Sequence, residues 1–297
     1  MLIILLAITG IILVPYSYAT GPSDSYTNRD FEKQIMKILE INKTGFLKLN
    51  TTNALFKIYA KNGDYFLVNG TKVFNFIYLE RDKAVNYDDI STKPNQKTIV
   101  VFPTFTSSAY SDKGFYSYYR KECDSKCLTI PIKNDIVAQT SPVAVQVLKL
   151  LGYSFITDTD IDKKPSILKS YDKVILLHNE YVTKKEFNAI TSHPHVIYLY
   201  ANALYTEVKT DYKKNTVTLV KGHGYPTNDV SNGFNWKFDN SKFEYNYNCK
   251  GVSFKKIDNG WILDCFPRKL LLKDRNFLVA LRELNWFKLD NVNSNVK

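Results

Sequence analysis

The sequence lacks the motifs that mark several common enzyme classes. It contains no G-x-S-x-G nucleophile elbow, which argues against an α/β-hydrolase, and no phosphate-binding glycine loop. It has no G-x-C-x-G turn after a central strand, which a cysteine-dependent amidotransferase would need. It also has no low-complexity tract and no internal repeat. These absences leave a globular protein whose chemistry must come from another arrangement of side chains.

No dense block of Lys and Arg accounts for the positive charge of the chain. The 40 Lys and Arg residues exceed the 29 Asp and Glu residues, which gives a formal net charge of +11. This excess attracts anionic surfaces. However, the basic residues are scattered and no nucleic-acid motif occurs, so we expect a solvated basic surface and no nucleic-acid partner. A hydrophobic fraction of 44% and a charged fraction of 23% are typical of a folded protein.

The N-terminal segment, residues 1–22, is expected to lie outside the fold. Its apolar run, residues 2–14, is too short to span a bilayer comfortably, and residues 17–19 (SYA) resemble a signal-peptidase site. Cleavage after Ala19 is the favoured interpretation. No Lys or Arg precedes the run, so a retained anchor is the alternative, with membrane attachment only in that case. Both interpretations place the body outside the cytoplasm, as secreted or cell-surface protein.

The few cysteines agree with that compartment. Four cysteines allow three disulfide pairings, and sequence alone does not choose among them. We expect the two local pairs, Cys123 with Cys127 and Cys249 with Cys265. A zinc site of four cysteines is the alternative, but neither pair has the usual two residues between ligands. Sequons at Asn42, Asn50 and Asn69 also agree with export.

The region from residue 23 to residue 96 reads as a helix followed by β-hairpins. Residues 24–42 place Phe31 and Ile35 on one helical face. Asn62-Gly63 and Asn69-Gly70 are predicted hairpin turns between strand-like runs. Residues 88–96 are polar and aperiodic, so we place a domain boundary there.

The main unit, residues 97–221, is predicted to be an α/β domain with a mostly parallel sheet covered on both faces, a three-layer arrangement. Its first strand is residues 98–102, and residues 103–139 are predicted to be a long loop. A helix then begins at Pro142 and ends at Gly152. Strands, helices and a hairpin follow, and residues 222–297 form an aromatic C-terminal segment that contains one disulfide and a closing helix.

Two polar clusters follow buried strands of this unit. The apolar run 174–177 ends at His178-Asn179-Glu180, and the run 196–200 ends shortly before Asn202. A helix separates the two runs, which is typical of a βαβ unit and a parallel sheet. Ligands of such sheets bind beyond the carboxyl ends of the strands. We therefore expect the functional site at this edge.

Four short motifs, in order, resemble one family. Residues 106–111 (TSSAYS) are similar to its T-W-x-A-Y-N, and residues 151–153 (LGY) with 157–160 (TDTD) are similar to its L-G-Y and T-D-x-D. Residues 178–181 (HNEY) resemble its H-D-E-Y, and Asn202 resembles the Asn after its next strand. The family is the C-terminal domain of the N,N-dimethylformamidase large (β) subunit. Its fold is related to the class I glutamine amidotransferase and flavodoxin-like folds.

The resemblance implies a mononuclear Fe(III) site that hydrolyses amide bonds. Tyr110 and Glu180 would be metal ligands, and His178 and Asn202 would be catalytic groups beside the metal. Hard anionic oxygens suit Fe(III), which would polarise an amide carbonyl and acidify a bound water. A small amide would be the substrate. His223, in a glycine-rich turn, could line the same cleft.

The chain also departs from the family pattern. The family's second tyrosine ligand lies in an R-P-Y motif, and the corresponding residues 130–132 read IPI, so that ligand is missing. Tyr116, Tyr118 or Tyr119 could replace it. Two hypotheses therefore stand: a metal-dependent hydrolase of carbon–nitrogen bonds, and a non-catalytic extracellular module that binds a surface component through a degenerate cleft.

Overall fold

The computed structural model describes residues 26–283, except residues 41, 94, 138–139, 239, 244, 248 and 253. The predicted signal segment and the end of the predicted closing helix lie outside the described residues. Within the described part of the chain, no helix is both long enough and apolar enough to cross a bilayer. The fold is a mixed α/β structure with parallel and antiparallel strands and two disulfides.

The N-terminal region folds as predicted in outline. Its elements are α1 (Tyr26–Leu39), β1 (Phe46–Leu49), β2 (Phe56–Lys61), β3 (Tyr65–Val68), β4 (Thr71–Phe74) and β5 (Tyr78–Arg81). Asn69-Gly70 forms the predicted hairpin turn, between β3 and β4. The prediction for Asn62-Gly63 was wrong, because β2 pairs with β1 and β5, so that turn joins strands of different sheets.

The predicted loop 103–139 is largely structured, so that prediction was wrong. It contains α2 (Thr104–Tyr110), α3 (Phe115–Tyr119), a 3₁₀ turn (Ser125–Leu128) and β7 (Thr129–Pro131), and it follows β6 (Thr98–Phe102). Both helices are too short to show an apolar period in the sequence, and their small polar residues are buried by tertiary contacts instead.

The next elements follow the predicted succession of strands and helices, which ends in a hairpin. They are α4 (Pro142–Leu150), β8 (Ser154–Thr157), α5 (Asp158–Lys163), a 3₁₀ helix (Pro165–Ser170), β9 (Lys173–Leu176), β10 (Tyr181–Thr183), α6 (Lys184–Thr191), β11 (Val196–Tyr198), β12 (Thr206–Asp211) and β13 (Thr216–Lys221). Thr183 caps α6 by accepting a hydrogen bond from the Glu186 amide at 3.1 Å. The strand β10 was not predicted, and it pairs in parallel with β12 in a second sheet.

The C-terminal segment contributes to the central sheet, which the sequence did not indicate. It contains a 3₁₀ turn (Ser241–Phe243), β14 (Phe254–Ile257), β15 (Gly260–Leu263), α7 (Arg268–Lys273) and α8 (Arg275–Glu283). The strand β15 pairs in parallel with β11, and β14 closes that edge antiparallel to β15. The disulfide between Cys249 and Cys265 brackets the β14–β15 hairpin.

The central sheet has the strand order β14-β15-β11-β9-β6-β8, and all of its neighbours are parallel except β14. Alternate residues of its strands enter two hydrophobic cores. Val100 and Ile175 pack with α1, α4, α7 and α8 on one face. Val101 and Val174 pack with α6 on the other. Both faces are therefore buried, as expected for a parallel sheet.

Both disulfide predictions are confirmed: Cys123 pairs with Cys127, and Cys249 pairs with Cys265. None of the four cysteines is free, which rules out the alternative zinc site built from all of them.

Candidate functional site

The candidate site lies where the winding of the central sheet changes direction. The chain passes from β6 outward to β8 and then returns to β9 on the other side of β6. At such a point the segments that follow the two adjacent strands diverge and leave a crevice. Here α2 follows β6 and ends at Tyr110, and the turn that carries His178 and Glu180 follows β9. The topology thus brings the predicted residues to one edge.

Two phenol rings stack at this crevice. The rings of Tyr110 and Tyr116 have centroids 4.0 Å apart, and their hydroxyl oxygens are 2.6 Å apart. Tyr116 lies on α3, within the segment that was predicted to be an unstructured loop. The sequence left three tyrosines as substitutes for the missing second phenol, and of these Tyr116 lies against Tyr110.

Both hydroxyls face the carboxylate of Glu180. The Tyr110 hydroxyl donates to Glu180 Oε2 at 3.0 Å, and the Tyr116 hydroxyl lies 3.5 Å from Oε1. The Glu180 side chain is completely buried. The predicted pair Tyr110 and Glu180 therefore converges, with a second phenol beside it.

Two imidazoles flank the same carboxylate. His178 Nε2 lies 3.4 Å from Glu180 Oε2, and His223 Nδ1 lies 3.5 Å from Oε1. His223 belongs to the turn after β13, which was only a weak candidate in the sequence. A carboxylate, two phenols and two imidazoles from four chain segments thus form one cluster.

The backbone of Glu180 is anchored from two directions. Thr106 Oγ1 on α2 accepts hydrogen bonds from the amides of Glu180 and Tyr181, at 3.0 and 3.2 Å. On the other side, the Glu180 carbonyl accepts from the amides of Tyr205 and Thr206, at 2.9 and 2.8 Å. Because buried backbone groups that are all paired cannot shift without losing bonds, the carboxylate is held in place.

Gly114 permits the stacking of the two phenols. A Cβ atom there would lie 2.2 Å from the carbonyl oxygen of Ala109, at the end of α2. Only a residue without a side chain lets α3 begin so close to α2. Gly222 acts in the same way for His223: it has a φ of +109°, and a Cβ would approach the carbonyl oxygen of Tyr205 to 2.9 Å.

A cavity of about 460 Å³ opens beside the cluster. Its wall includes the two phenols, both imidazoles and Asn202. Asn202 is 3% exposed, and its Oδ1 is buried without a hydrogen-bond partner among the described residues. The amide is therefore available to a molecule that enters the cavity. All four predicted site residues, Tyr110, His178, Glu180 and Asn202, border this cavity or contact a residue that does.

Burial dominates the electrostatics of the phenols. The pKa of Tyr110 is raised well above its usual value by burial, and the adjacent Glu180 carboxylate raises it further. The pKa of Tyr181, the next residue after Glu180, is raised for the same two reasons. In the absence of a cation, the neutral phenol is thus the favoured form, and the hydroxyl protons are directed at the carboxylate.

A second group of acids lies behind the site. Asp158 Oδ1 accepts from the Asn179 side chain at 2.5 Å, and Oδ2 accepts from the Phe105 amide at 3.0 Å. The buried Glu186 side chain lies near Asp158, and burial followed by the charge of Asp158 raises the Glu186 pKa well above its usual value. Asp158 belongs to the motif 157–160, in which Thr157 and Asp160 form a capping box at the start of α5.

The donors at Glu180 are chiefly oxygens. Among the described residues, no group of three or more His, Cys, Asp or Glu side chains is placed to hold a metal ion. The site instead offers one carboxylate and two phenols, with imidazoles at longer distance. No protein family model matches the chain, and no curated protein sequence matches it significantly. The resemblance to N,N-dimethylformamidase therefore stays a prediction.

Proposed function

We propose that this protein is an exported, iron-dependent amidohydrolase related to the C-terminal domain of the N,N-dimethylformamidase large subunit. The observation that supports this most directly is the convergence of two phenols on one buried carboxylate beside a cavity. The resemblance implies two tyrosine ligands and one glutamate ligand, and this chain offers Tyr110, Tyr116 and Glu180.

The spacing of these oxygens suits a metal ion. Metal–oxygen bonds of about 2.0–2.2 Å put neighbouring ligands of a six-coordinate ion about 3 Å apart. The three oxygen–oxygen distances here are 2.6, 3.0 and 3.5 Å. Phenolate and carboxylate are hard anionic donors, which favour a hard cation such as Fe(III) over softer metals.

The topology supports the proposed kinship. The five parallel strands, taken in chain order, have the spatial order 2-1-3-4-5, which is the order of flavodoxin-like sheets. Helices cover both faces, as in the three-layer architecture that we infer for the main unit. Two disulfides favour an oxidising compartment, in agreement with the proposed secretion or surface location.

In the proposed reaction, water adds to the amide carbon, the carbon–nitrogen bond breaks, and a carboxylic acid and an amine result. A bound Fe(III) would supply Lewis acidity toward the carbonyl oxygen and toward water. His178 or His223, each beside Glu180, would accept the proton of the attacking water and return it to the leaving nitrogen. The Asn202 amide would orient the substrate at the cavity wall.

The test is metal binding with a matched pair of tyrosine variants. The purified chain, loaded with Fe(III), should show a visible tyrosinate absorption band and should hydrolyse small N-alkyl amides. Tyr116→Phe should weaken the band and the activity. Tyr118→Phe, on the same helix but with its ring against Tyr119 and Tyr225, should retain both.

Two results would contradict the proposal: a protein that folds but binds no iron, or an iron-loaded protein without the band. Either result, with no hydrolysis of small amides, would favour the second hypothesis, a non-catalytic extracellular module that binds a surface component through this cleft.

A further inference from the structure

Two chemically different groups of residues line the cavity beside Glu180. Tyr110 and His178 lie at the carboxylate. Arg268, the first residue of α7, lies on the wall as well. Between them, the Tyr200 ring stacks on His178 with centroids 5.6 Å apart, and Phe266 meets Tyr200 edge-on at 5.5 Å. An apolar wall thus separates the reactive cluster from a cation.

Arg268 has no acid to neutralise it. Among the described residues that line the cavity, Arg268 is the single Lys or Arg, and none is Asp or Glu. In the described part of the chain, its guanidinium takes part in no salt bridge or hydrogen bond. It lies close enough to Tyr200 to lower the pKa of that phenol, although burial has the larger effect and raises this pKa to about 12.

An unpaired guanidinium at the wall of an apolar cavity fits an anionic ligand. Arginine binds carboxylates through two parallel hydrogen bonds, and the overall charge of +11 draws anions toward the protein. The aromatic side chains of Tyr200 and Phe266 provide a surface for an apolar or aromatic group. A ligand that satisfies both has a carboxylate and a hydrophobic body.

We propose that the cavity takes small anionic amides of the N-acyl amino acid class, with the carboxylate bound by Arg268. The apolar part lies against Tyr200 and Phe266, which places the amide bond at the Glu180 cluster. The position of the amide rests on the proposed function, whereas recognition of the carboxylate rests on Arg268 alone. Arg268 would then be the residue that determines specificity.

Calorimetry with two probes tests this inference on the metal-free full chain. N-benzoylglycine carries the carboxylate, and its methyl ester is the neutral match. A hydrogen-bonded charged group contributes about 1.5–3 kcal/mol, so the acid should bind about 10- to 100-fold more tightly than the ester. Arg268→Gln should remove this preference. Lys269→Gln, which removes one positive charge from the next residue of α7, should preserve it.

The inference would be overturned if acid and ester bound equally, if neither bound the folded protein at millimolar concentration, or if Arg268→Gln kept the preference. These outcomes are separate from those for the reaction. Selective binding without hydrolysis by the iron-loaded protein would contradict the proposed function only. Hydrolysis of N-benzoylglycine at an unchanged rate in Arg268→Gln would contradict the inference only.

Discussion

Two fully buried carboxylate clusters lie on opposite sides of one turn, and their partners differ. Glu186 lies near another acid, Asp158, and neither borders the cavity. Glu180 instead meets two phenols and two imidazoles, and four of these five residues line the cavity. The adjacent residues Asn179 and Glu180 point into different clusters, since Asn179 donates to Asp158.

The comparison separates two ways of burying a carboxylate. When two buried acids lie close together without a cation, one of them retains its proton because two adjacent negative charges repel each other. When a carboxylate faces phenols and imidazoles at a cavity, its surroundings can lose protons and accept a cation. We therefore assign a structural role to the Asp158–Glu186 pair, and we propose the catalytic role for the Glu180 cluster.

Removing one carboxylate from each cluster should have the largest effect. Glu180→Gln removes the carboxylate that we propose as a metal ligand, and it should reduce Fe(III) affinity by at least about 100-fold, the upper range for loss of a group that merely supports a ligand. Glu186→Gln should leave iron affinity within a few-fold. Titration of both apoproteins with Fe(III), followed by the absorption band, gives the comparison. Equal losses of Fe(III) affinity in both variants would contradict the distinction between the two clusters.

The second-largest effect is expected from removing the hydrogen bonds that hold the backbone of Glu180. Thr106→Val removes the acceptor for two buried amides, of Glu180 and Tyr181. Each unsatisfied donor costs about 1–3 kcal/mol, so the free energy of unfolding should fall by about 2–6 kcal/mol. Denaturant unfolding measures this loss. Thr191→Val is the control, because its hydroxyl contacts only carbonyls of its own helix, and its effect should stay within about 0.5 kcal/mol. Equal effects would show that Thr106 is not an anchor.

The contact between α2 and α3 gives a smaller expected effect. Gly114→Ala introduces a methyl group 2.2 Å from the Ala109 carbonyl, which forces α3 and Tyr116 away from Tyr110. Overpacking of this kind costs about 1–3 kcal/mol. The iron–tyrosinate band should weaken in parallel with stability. Gly251→Ala meets no atom within 4 Å and should change neither quantity. An unchanged band in Gly114→Ala would separate the stacked phenols from metal binding.

The Asp158–Glu186 pair should make the free energy of unfolding depend on pH. Burial raises the pKa of Asp158 to about 7 and that of Glu186 well above its usual value. The folded state thus holds protons that the unfolded state releases near pH 4, so this stabilisation is present in acid and is lost as pH rises through 7.

Glu186→Gln removes one of these protons, so its free energy of unfolding should fall less than that of the wild type between pH 5 and pH 8. The difference should reach at least about 1.4 kcal/mol, the equivalent of one pKa unit. Denaturant midpoints at both pH values measure it. Parallel pH profiles of the two proteins would contradict the assignment of a shared buried proton.

The sequence predicted the regular parts of the fold because their signals are local. The strand β6 matches its predicted range, and α4 ends at Leu150, two residues before the predicted stop at Gly152. The short helices α2 and α3 escaped notice because seven and five residues cannot show a helical period. The strand β15 escaped notice because its place beside β11 depends on pairing with a distant segment.

The prediction of the candidate site from the sequence was limited in the same way. Tyr110, His178 and Glu180 stood out because motifs and strand ends mark them. Tyr116 was one of three equivalent tyrosines, and only the geometry of α3 distinguishes it. His223 depends on a turn whose position is set by contacts between Gly222 and Gly233. Such contacts between distant segments leave no local pattern in the sequence.

The position of β15 also has a consequence for biosynthesis. A ribosome releases Tyr110, Tyr116 and Glu180 long before Phe266 and Arg268, which follow β15 at the far end of the described chain. The nascent chain can therefore bring the oxygen atoms of these three side chains together before the residues of one cavity wall have been synthesised. The complete cavity can form only after the β14–β15 hairpin has been synthesised and the disulfide that brackets it has formed.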